Sequence, residues 1–469
     1  MNIKKNVLNG LKWTSFSSIV IAIFQILQIS ILARFLSSQD FGLMAILTVV
    51  IGFIKIFADL GISNAIIHHK ENNELQLSSL YWLNIIIGIS LFILILIISP
   101  LISNFYNEPR LKELLIILSF SFVIQSFGNQ FKILFQKELN FNIIAKIEIL
   151  SAFFSLLVAV ILAYFNYGVY TLIIASLTSI SISSFLFFIL GIKIHKPKFL
   201  FSFIEIKKYL NFGAYQTGQS TLNYFNSQFD VILIGKLLGA ESLGVYSIVK
   251  QLAMRPSQII NPIVTRITFP ILSKLQDNIV LLKDTYLKTV HYISLVNFPI
   301  YLLSFVLAEP IVIILLGKEW SQSIPIFQIL SLYFMVRSVG NPIGSLVMAT
   351  GKVKIEFWWN VVMFCIFPLS IYIGSIWLNI GVAYSLFFTI VLTLVPMWHF
   401  IIKKLCKATF KEFFFPLFKI LIICLIVLGI STVTFLINVN IYFQSIIYIL
   451  TFSILYLFSN LKYIQGINK

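Results

Sequence analysis

Five basic side chains are read as lying inside apolar runs long enough to cross a bilayer, the others being assigned to loops and run ends: Lys55, Lys250, Arg255, Arg266 and Arg337. A cation at the centre of a membrane helix costs roughly 2.5–3.5 kcal/mol even on insertion scales, so such residues default to a functional reading. Lysine is a compact point charge and arginine a planar fork, and both hold phosphate oxygens well. Only two acids accompany them in the central or outer part of the spans, Asp59 and Asp230. The surplus favours an anion, above all one that bears phosphate, and the two carboxylates are candidates for coupling to H+ or Na+.

Uncharged polar residues extend the pattern. Thr48, Gly52, Lys55, Asp59 and Ser63 recur every three or four positions and form one edge of a helix, on which Lys55 and Asp59 can pair. A comparable stripe holds Gln216, Gln219, Asn223, Asn226 and Asp230, and a weaker one Thr14, Ser18, Gln25 and Gln28. Lys250, Arg255, Gln258, Asn261 and Arg266 follow one another on the eighth span, and Arg337 and Asn341 on the tenth. Two readings stay open for the uncharged members: they line a cavity, or they pack helix on helix through buried hydrogen bonds.

Other chemistry has no visible home. There is no GxxxxGK[ST] phosphate loop, no HExxH and no GxSxG, so ATP hydrolysis and covalent catalysis are not expected. His291 and His399 are isolated and read as structural. Cys365, Cys406 and Cys424 lack CxxC spacing, so neither a metal site nor a disulfide framework follows. No cofactor is expected; the energy source is an ion gradient, the membrane potential or the substrate's own gradient.

The elements that must position these residues are membrane helices. Of 469 residues 59% are hydrophobic and 11% charged, against about 25% charged in a soluble domain. Apolar runs of about twenty residues recur throughout. They give an all-α polytopic membrane protein with spans at 11–35, 41–67, 80–102, 111–135, 143–164, 169–192, 209–235, 243–272, 287–316, 321–349, 355–378, 381–402, 413–437 and 441–461. Twelve spans is the competing count. The basic start MNIKKNVLNGLKW precedes a run too long for a signal peptide, and is read as flanking a retained first span.

The net charge of +17 comes from basic residues in short loops, which argues for membrane topology and against nucleic acid. With the N-terminus inside, most of the 34 basic residues fall on the cytoplasmic side, while Arg34, Arg110, Lys112, Lys236 and Lys318 lie opposite. Both termini are then cytoplasmic. Sliding the chain over itself by 202 residues lays ARFLSSQDFGLMAI (33–46) on GKLLGAESLGVYSI (235–248), matching Gly42 to Gly244. A shift of six spans preserves orientation and predicts two parallel six-helix lobes, 1–200 and 201–405, with two further helices in 406–469. The substrate site would lie between them, lined by spans one, two, seven and eight.

The segments FLSSQDFGLMAI, FADLGISNAII, SSLYWLNIIIG, FQKELNFNIIAKIEI, FDVILIGKLLGAESLGVYSIV and FPILSKLQD resemble the polysaccharide transporter family, and within it the colanic-acid and teichuronic-acid exporters. The similarity covers most of the first 300 residues. That family belongs to the superfamily of the multidrug MATE exporters and the lipid II flippase. The resemblance implies a flippase in the bacterial cytoplasmic membrane that moves a polyprenyl-diphosphate-linked oligosaccharide to the outer leaflet by alternating access through a central cationic cavity. It implies membrane lipids as surroundings, and a polymerase and chain-length proteins of the same pathway as partners. A MATE-like exporter of drugs or small cations, and a membrane glycosyltransferase or polymerase, are the alternatives. The first would want an acidic cavity and the second a large outer loop. Asp230, within FDVILIG, sits in a matching segment; the cations are proposals from the stripes alone.

Overall fold

In hydrocarbon the backbone can satisfy its N–H and C=O groups only within itself, so apolar runs of this length fold as helices. The computed structural model describes residues 3–59, 63, 66, 73–431 and 441–459, and among these no strand occurs. Over their described residues the fourteen hydropathic runs lie mostly on helix, but the runs 287–316 and 321–349 are each broken by a turn, at Leu307 and at 340–342. Among the described residues eleven segments are long and apolar enough to cross a membrane.

The chain divides into two compact units, Met1–Ser247 and Ile248–Lys469. In the first lie α1 (Ile3–Leu32), α2 (Ser38–Asp59), α3 (Glu74–Tyr106), α4 (Arg110–Lys137), α5 (Phe141–Tyr164), α6 (Val169–Gly191), α7 (Phe203–Leu237) and the start of α8 (Gly239–Lys274). The second continues with the rest of α8, then α9 (Ile279–Val306), α10 (Ala308–Leu315), α11 (Ile324–Val339), α12 (Ile343–Thr350), α13 (Val353–Ser375), α14 (Leu378–Met397), α15 (Lys403–Cys406), α16 (Phe410–Ser431) and α17 (Ile441–Ser459). The division falls inside α8, whereas the hydropathic pattern places a lobe boundary at 200/201.

Two helix starts of the first unit carry side chains that satisfy orphan N–H groups. Ser37 precedes α2, where its Oγ accepts from Asp40 N at 3.3 Å while Asp40 Oδ2 accepts from Ser37 N at 3.1 Å. Asn73 and Gln76 make the same reciprocal box at the start of α3. The connector after α6 is tied back onto α3: Lys198 N and Ser202 N donate to Ser78 Oγ and Ser79 Oγ, and Trp82 Nε1 donates to the Lys198 carbonyl.

In the first unit α3 packs on α4, α4 on α6, α1 on α5, α5 on α6, and α7 on α2 and α3. Glycine sets how close these helices come. A Cβ on Gly128 of α4 would stand 2.5 Å from Ser184 Cα of α6, and one on Gly88 of α3 would stand 2.8 Å from the Phe122 carbonyl oxygen of α4. Such contacts give membrane helices the dispersion that replaces a hydrophobic driving force.

The repeat is visible in one reciprocal contact. A Cβ on Gly42 would lie 1.7 Å from the Ala240 carbonyl oxygen, and a Cβ on Gly244 would lie 1.7 Å from the Ser38 carbonyl oxygen. Positions 38 and 240, and 42 and 244, are each 202 apart, so α2 and the start of α8 meet through equivalent surfaces, as across a two-fold axis.

In the second unit α9 packs on α11 and α16, α11 on α14, α13 on α14, and α16 on α17. Helix α8 runs through Pro256, Pro262 and Pro270. Tyr301 of α9 compensates next to the first of them, its hydroxyl accepting from Ser257 N at 3.1 Å. Further along the seam, Asn297 Nδ2 donates to Asn261 Oδ1 at 3.1 Å.

A cationic cavity within the first unit

Helix α4 carries a polar face that the sequence reading passed over. Gln125, Asn129, Lys132 and Gln136 are spaced four, three and four apart, which stacks them along one side of a helix. That side looks into two adjoining cavities. The larger, about 330 Å³, is lined by Lys55, Ala58 and Ser63 with Asn84 and Gly88 of α3 and the α4 face. The smaller, about 240 Å³, is lined by Gln25 of α1, Glu148 and Ser151 of α5, Ser179 and Ser183 of α6, and again the α4 face. Gln125, Asn129 and Lys132 belong to both walls.

Among the described lining residues the charges are Lys55, Lys132 and Glu148, a net of one positive. Lys132 Nζ lies 2.7 Å from Glu148 Oε1, and the two side chains stay 42% and 32% exposed, so the pair faces open space. The Phe187 ring adds a second contact, with Nζ 5.9 Å from its centroid. Lys55 has no carboxylate within ion-pair distance among the described residues. An ammonium flanked by amides and hydroxyls can hold an anion's oxygens directly.

Of the α2 stripe, Lys55 and Ser63 reach the larger cavity. Thr48 donates its hydroxyl to the Met44 carbonyl of its own helix at 2.7 Å. Gly52 lies under Tyr224 of α7, whose hydroxyl donates to the Val49 carbonyl at 2.7 Å. The side chains of Asp59, Gln216, Gln219 and Arg266 lie outside the described residues, and with Asp59 the predicted Lys55 pairing. Gln25 lines the smaller cavity, Gln28 is half-buried, Asn223 is exposed and Asn226 half-buried; none of the last three lines either cavity.

Asp230 is buried between α7 and α8. Its Oδ2 accepts from the fully buried Tyr246 hydroxyl at 2.6 Å and its Oδ1 from Val231 N at 2.9 Å. Replacing Tyr246 by Phe removes one donor from a buried carboxylate, an expected loss of about 1–3 kcal/mol. Thermal unfolding of the purified variant reads this directly, and an unchanged midpoint would show that the bond carries no weight.

The other described cations, Lys250, Arg255 and Arg337, belong to the second unit and line neither cavity. Lys250 is buried and Arg255 half-buried. Exposed Arg337 donates to the Tyr333 hydroxyl at 3.0 Å and lies over the Tyr333 and Phe334 rings. Gln258 and Asn341 are exposed as well, the latter at the turn between α11 and α12. Lys132 and Glu148 were missed because Lys132, near the end of its span, counts in sequence as one more cytoplasmic-side charge. The polar spacing along α4 was the signal that would have found them.

A family model described as "Polysaccharide biosynthesis protein" matches residues 31–325. The chain belongs to that family. Within the polysaccharide biosynthesis proteins it is 32% identical over 418 residues to the lipopolysaccharide biosynthesis protein WzxC of Escherichia coli (strain K12), covering 89% of this chain and 85% of the relative. It is 31% identical over 439 residues to the teichuronic acid biosynthesis protein TuaB of Bacillus subtilis (strain 168), covering 92% and 90%. Among solved structures it matches the lipid II flippase MurJ in an inward closed conformation, with a TM-score of 0.78, 17% identity and coverage of 98% and 100%. An inward-facing MATE multidrug transporter of the MOP superfamily matches at 0.63, with 15% identity and coverage of 83% and 96%. The fold of this family member is therefore the one seen in MurJ and in the MATE transporter, as the sequence resemblance implied, and the chain is a multi-pass membrane protein.

Proposed function

We propose that this polysaccharide biosynthesis protein is a flippase for polyprenyl-diphosphate-linked oligosaccharides. In this reading it sits in the bacterial cytoplasmic membrane with both termini cytoplasmic, and passes the repeat unit to the outer leaflet by alternating access. The observation that carries it is the polar cavity with net positive charge inside a bundle of membrane helices. Its volume lies at the lower end of the roughly 300–1,000 Å³ typical of small-ligand sites, so it suits the charged head of the carrier lipid and leaves the sugars outside. Lys55 and Lys132 would hold the diphosphate, with Asn84, Gln125, Asn129 and Gln136 completing its shell. Lys250, Arg255, Arg266 and Arg337 stay proposed as further cations on the substrate's path, and Asp59 and Asp230 as carboxylates coupled to H+ or Na+. A polymerase and chain-length proteins would take over the flipped unit.

Two six-helix lobes with two appended helices form the proposed moving parts. Export of small cations is the less favoured reading, since a surplus of ammonium groups repels such cargo. Deleting the gene in a strain without a redundant flippase should leave lipid-linked repeat units on the inner leaflet and stop surface polysaccharide. Normal appearance of the repeat unit on the outer leaflet would overturn the assignment.

A further inference from the structure

Lys132 stands where the two cavities share a wall, with Lys55 on one side and Glu148 on the other. Its ammonium has three donors. Glu148 Oε1 takes one at 2.7 Å, and the ring of Phe187 steadies the group from a second direction. The pair is not sealed, since both side chains keep about a third or more of their surface exposed. Among the described residues lining the smaller cavity, Lys132 and Glu148 are the charged ones. From α1 the smaller cavity receives Gln25 and from α6 Ser179 and Ser183, and α6 carries no Asp, Glu, Lys, Arg or His. On α5 itself the neighbouring Lys146 lies over the Trp13 ring instead, 5.7 Å from its centroid.

We propose that Glu148 is a positioning residue that acts as an internal stand-in for the substrate's phosphate, holding Lys132 when the larger cavity is empty and drawing it back when the anion must leave. The proposal rests on reading the cavity as an anion site. A carrier that binds a multivalent anion with two unopposed ammonium groups would grip it too tightly to turn over, because transport needs binding weak enough to reverse. A carboxylate behind one of the two ammonium groups solves this. It repels the arriving anion, shares Lys132 with it, and takes the full ammonium on release. The anion and Glu148 are thus coupled through one side chain, and coupling of this kind is reciprocal. A merely structural ion pair predicts the opposite sign: its loss would weaken binding or leave it unchanged.

The experiment measures inorganic pyrophosphate binding to the purified full chain by calorimetry at low salt and one fixed pH, since screening would mask the effect. The proteins are the natural chain, Glu148→Gln, Lys132→Gln, Lys55→Gln and the double variant Glu148→Gln/Lys132→Gln. Glu148→Gln is expected to tighten pyrophosphate binding about tenfold, the size of one charge-assisted hydrogen bond, and to slow export. Lys132→Gln should loosen it by a similar factor, and in the Lys132→Gln background Glu148→Gln should tighten binding by a clearly smaller factor than in the natural chain, because only the direct repulsion by the carboxylate is left to remove once the shared ammonium is gone. Should Glu148→Gln fail to fold, Glu148→Asp, which keeps the charge one methylene further back, is expected to tighten binding by a smaller factor. Binding lost in the lysine variants but not tightened in the Glu148 variant that folds overturns this proposal alone. Pyrophosphate binding absent from the natural chain, or indifferent to both lysines, overturns the anion reading and this proposal with it.

Discussion

Lys132→Ala is expected to reduce export of the lipid-linked repeat unit about a hundredfold while the protein still inserts in the membrane. Removing the ammonium takes the described lining charge from one positive to zero and leaves Glu148 without its counter-ion at 2.7 Å. One charge-assisted hydrogen bond to the anion is worth about 1.5–3 kcal/mol, or roughly 10- to 150-fold in affinity. The unscreened carboxylate then adds repulsion. Lys132→Arg keeps the charge but replaces a rotating ammonium by a planar fork, so partial recovery is expected. Surface polysaccharide and membrane-inserted protein are measured together. Full polysaccharide output from Lys132→Ala at normal protein level would remove this residue from the substrate path.

Gly42→Ala carries the second large effect. The new methyl would come within 1.7 Å of the Ala240 carbonyl oxygen and 3.0 Å of Gly244 N, and all of these are backbone atoms that no rotamer change can move aside. Helices α2 and α8 would have to separate where Ser38 and Gly42 on one face Ala240 and Gly244 on the other, a small-xxx-small seam on both sides. Overpacking costs about 1–3 kcal/mol when side chains can adjust, so a backbone clash belongs at or above the top of that range. Gly244→Ala should behave alike because the contact is reciprocal, and Gly344→Ala, with nothing within 4 Å, serves as a neutral control. The check is thermal unfolding of the purified variants. An unfolding midpoint of Gly42→Ala equal to that of Gly344→Ala would mean that the two helices do not meet in this way.

The order and length of the helices were legible because bilayer thickness and backbone satisfaction leave a run of twenty apolar residues one conformation. The family was legible in the joined segments from FLSSQDFGLMAI to FPILSKLQD. The equivalence of Gly42 and Gly244 under the 202-residue repeat was legible too, but their mutual contact was not, since matching positions of two repeats need not touch. Lys55 stood out for the same reason that it matters: a charge in the middle of a span has no cheap alternative.

The site itself was not legible as a set. A helix reports its own polar face in its spacing, but whether that face meets a neighbour, lipid or open space depends on five other helices. Thr48 and Lys55 share a stripe, yet one hydroxyl closes on its own backbone while the ammonium reaches a cavity. Lys132 lies close enough to the end of its span to pass for a topology charge. Only the approach of α3, α4 and α6 at Gly88 and Gly128, and of α5 bearing Glu148, turns it inward. Sequence by itself determined what must be helix, which residues could not be left in lipid, and which family they belong to, because those follow from local hydration and backbone costs. Tertiary structure alone decided which charges share a cavity and which are neutralised, because electrostatic partnership is a matter of distance across helices far apart in the chain.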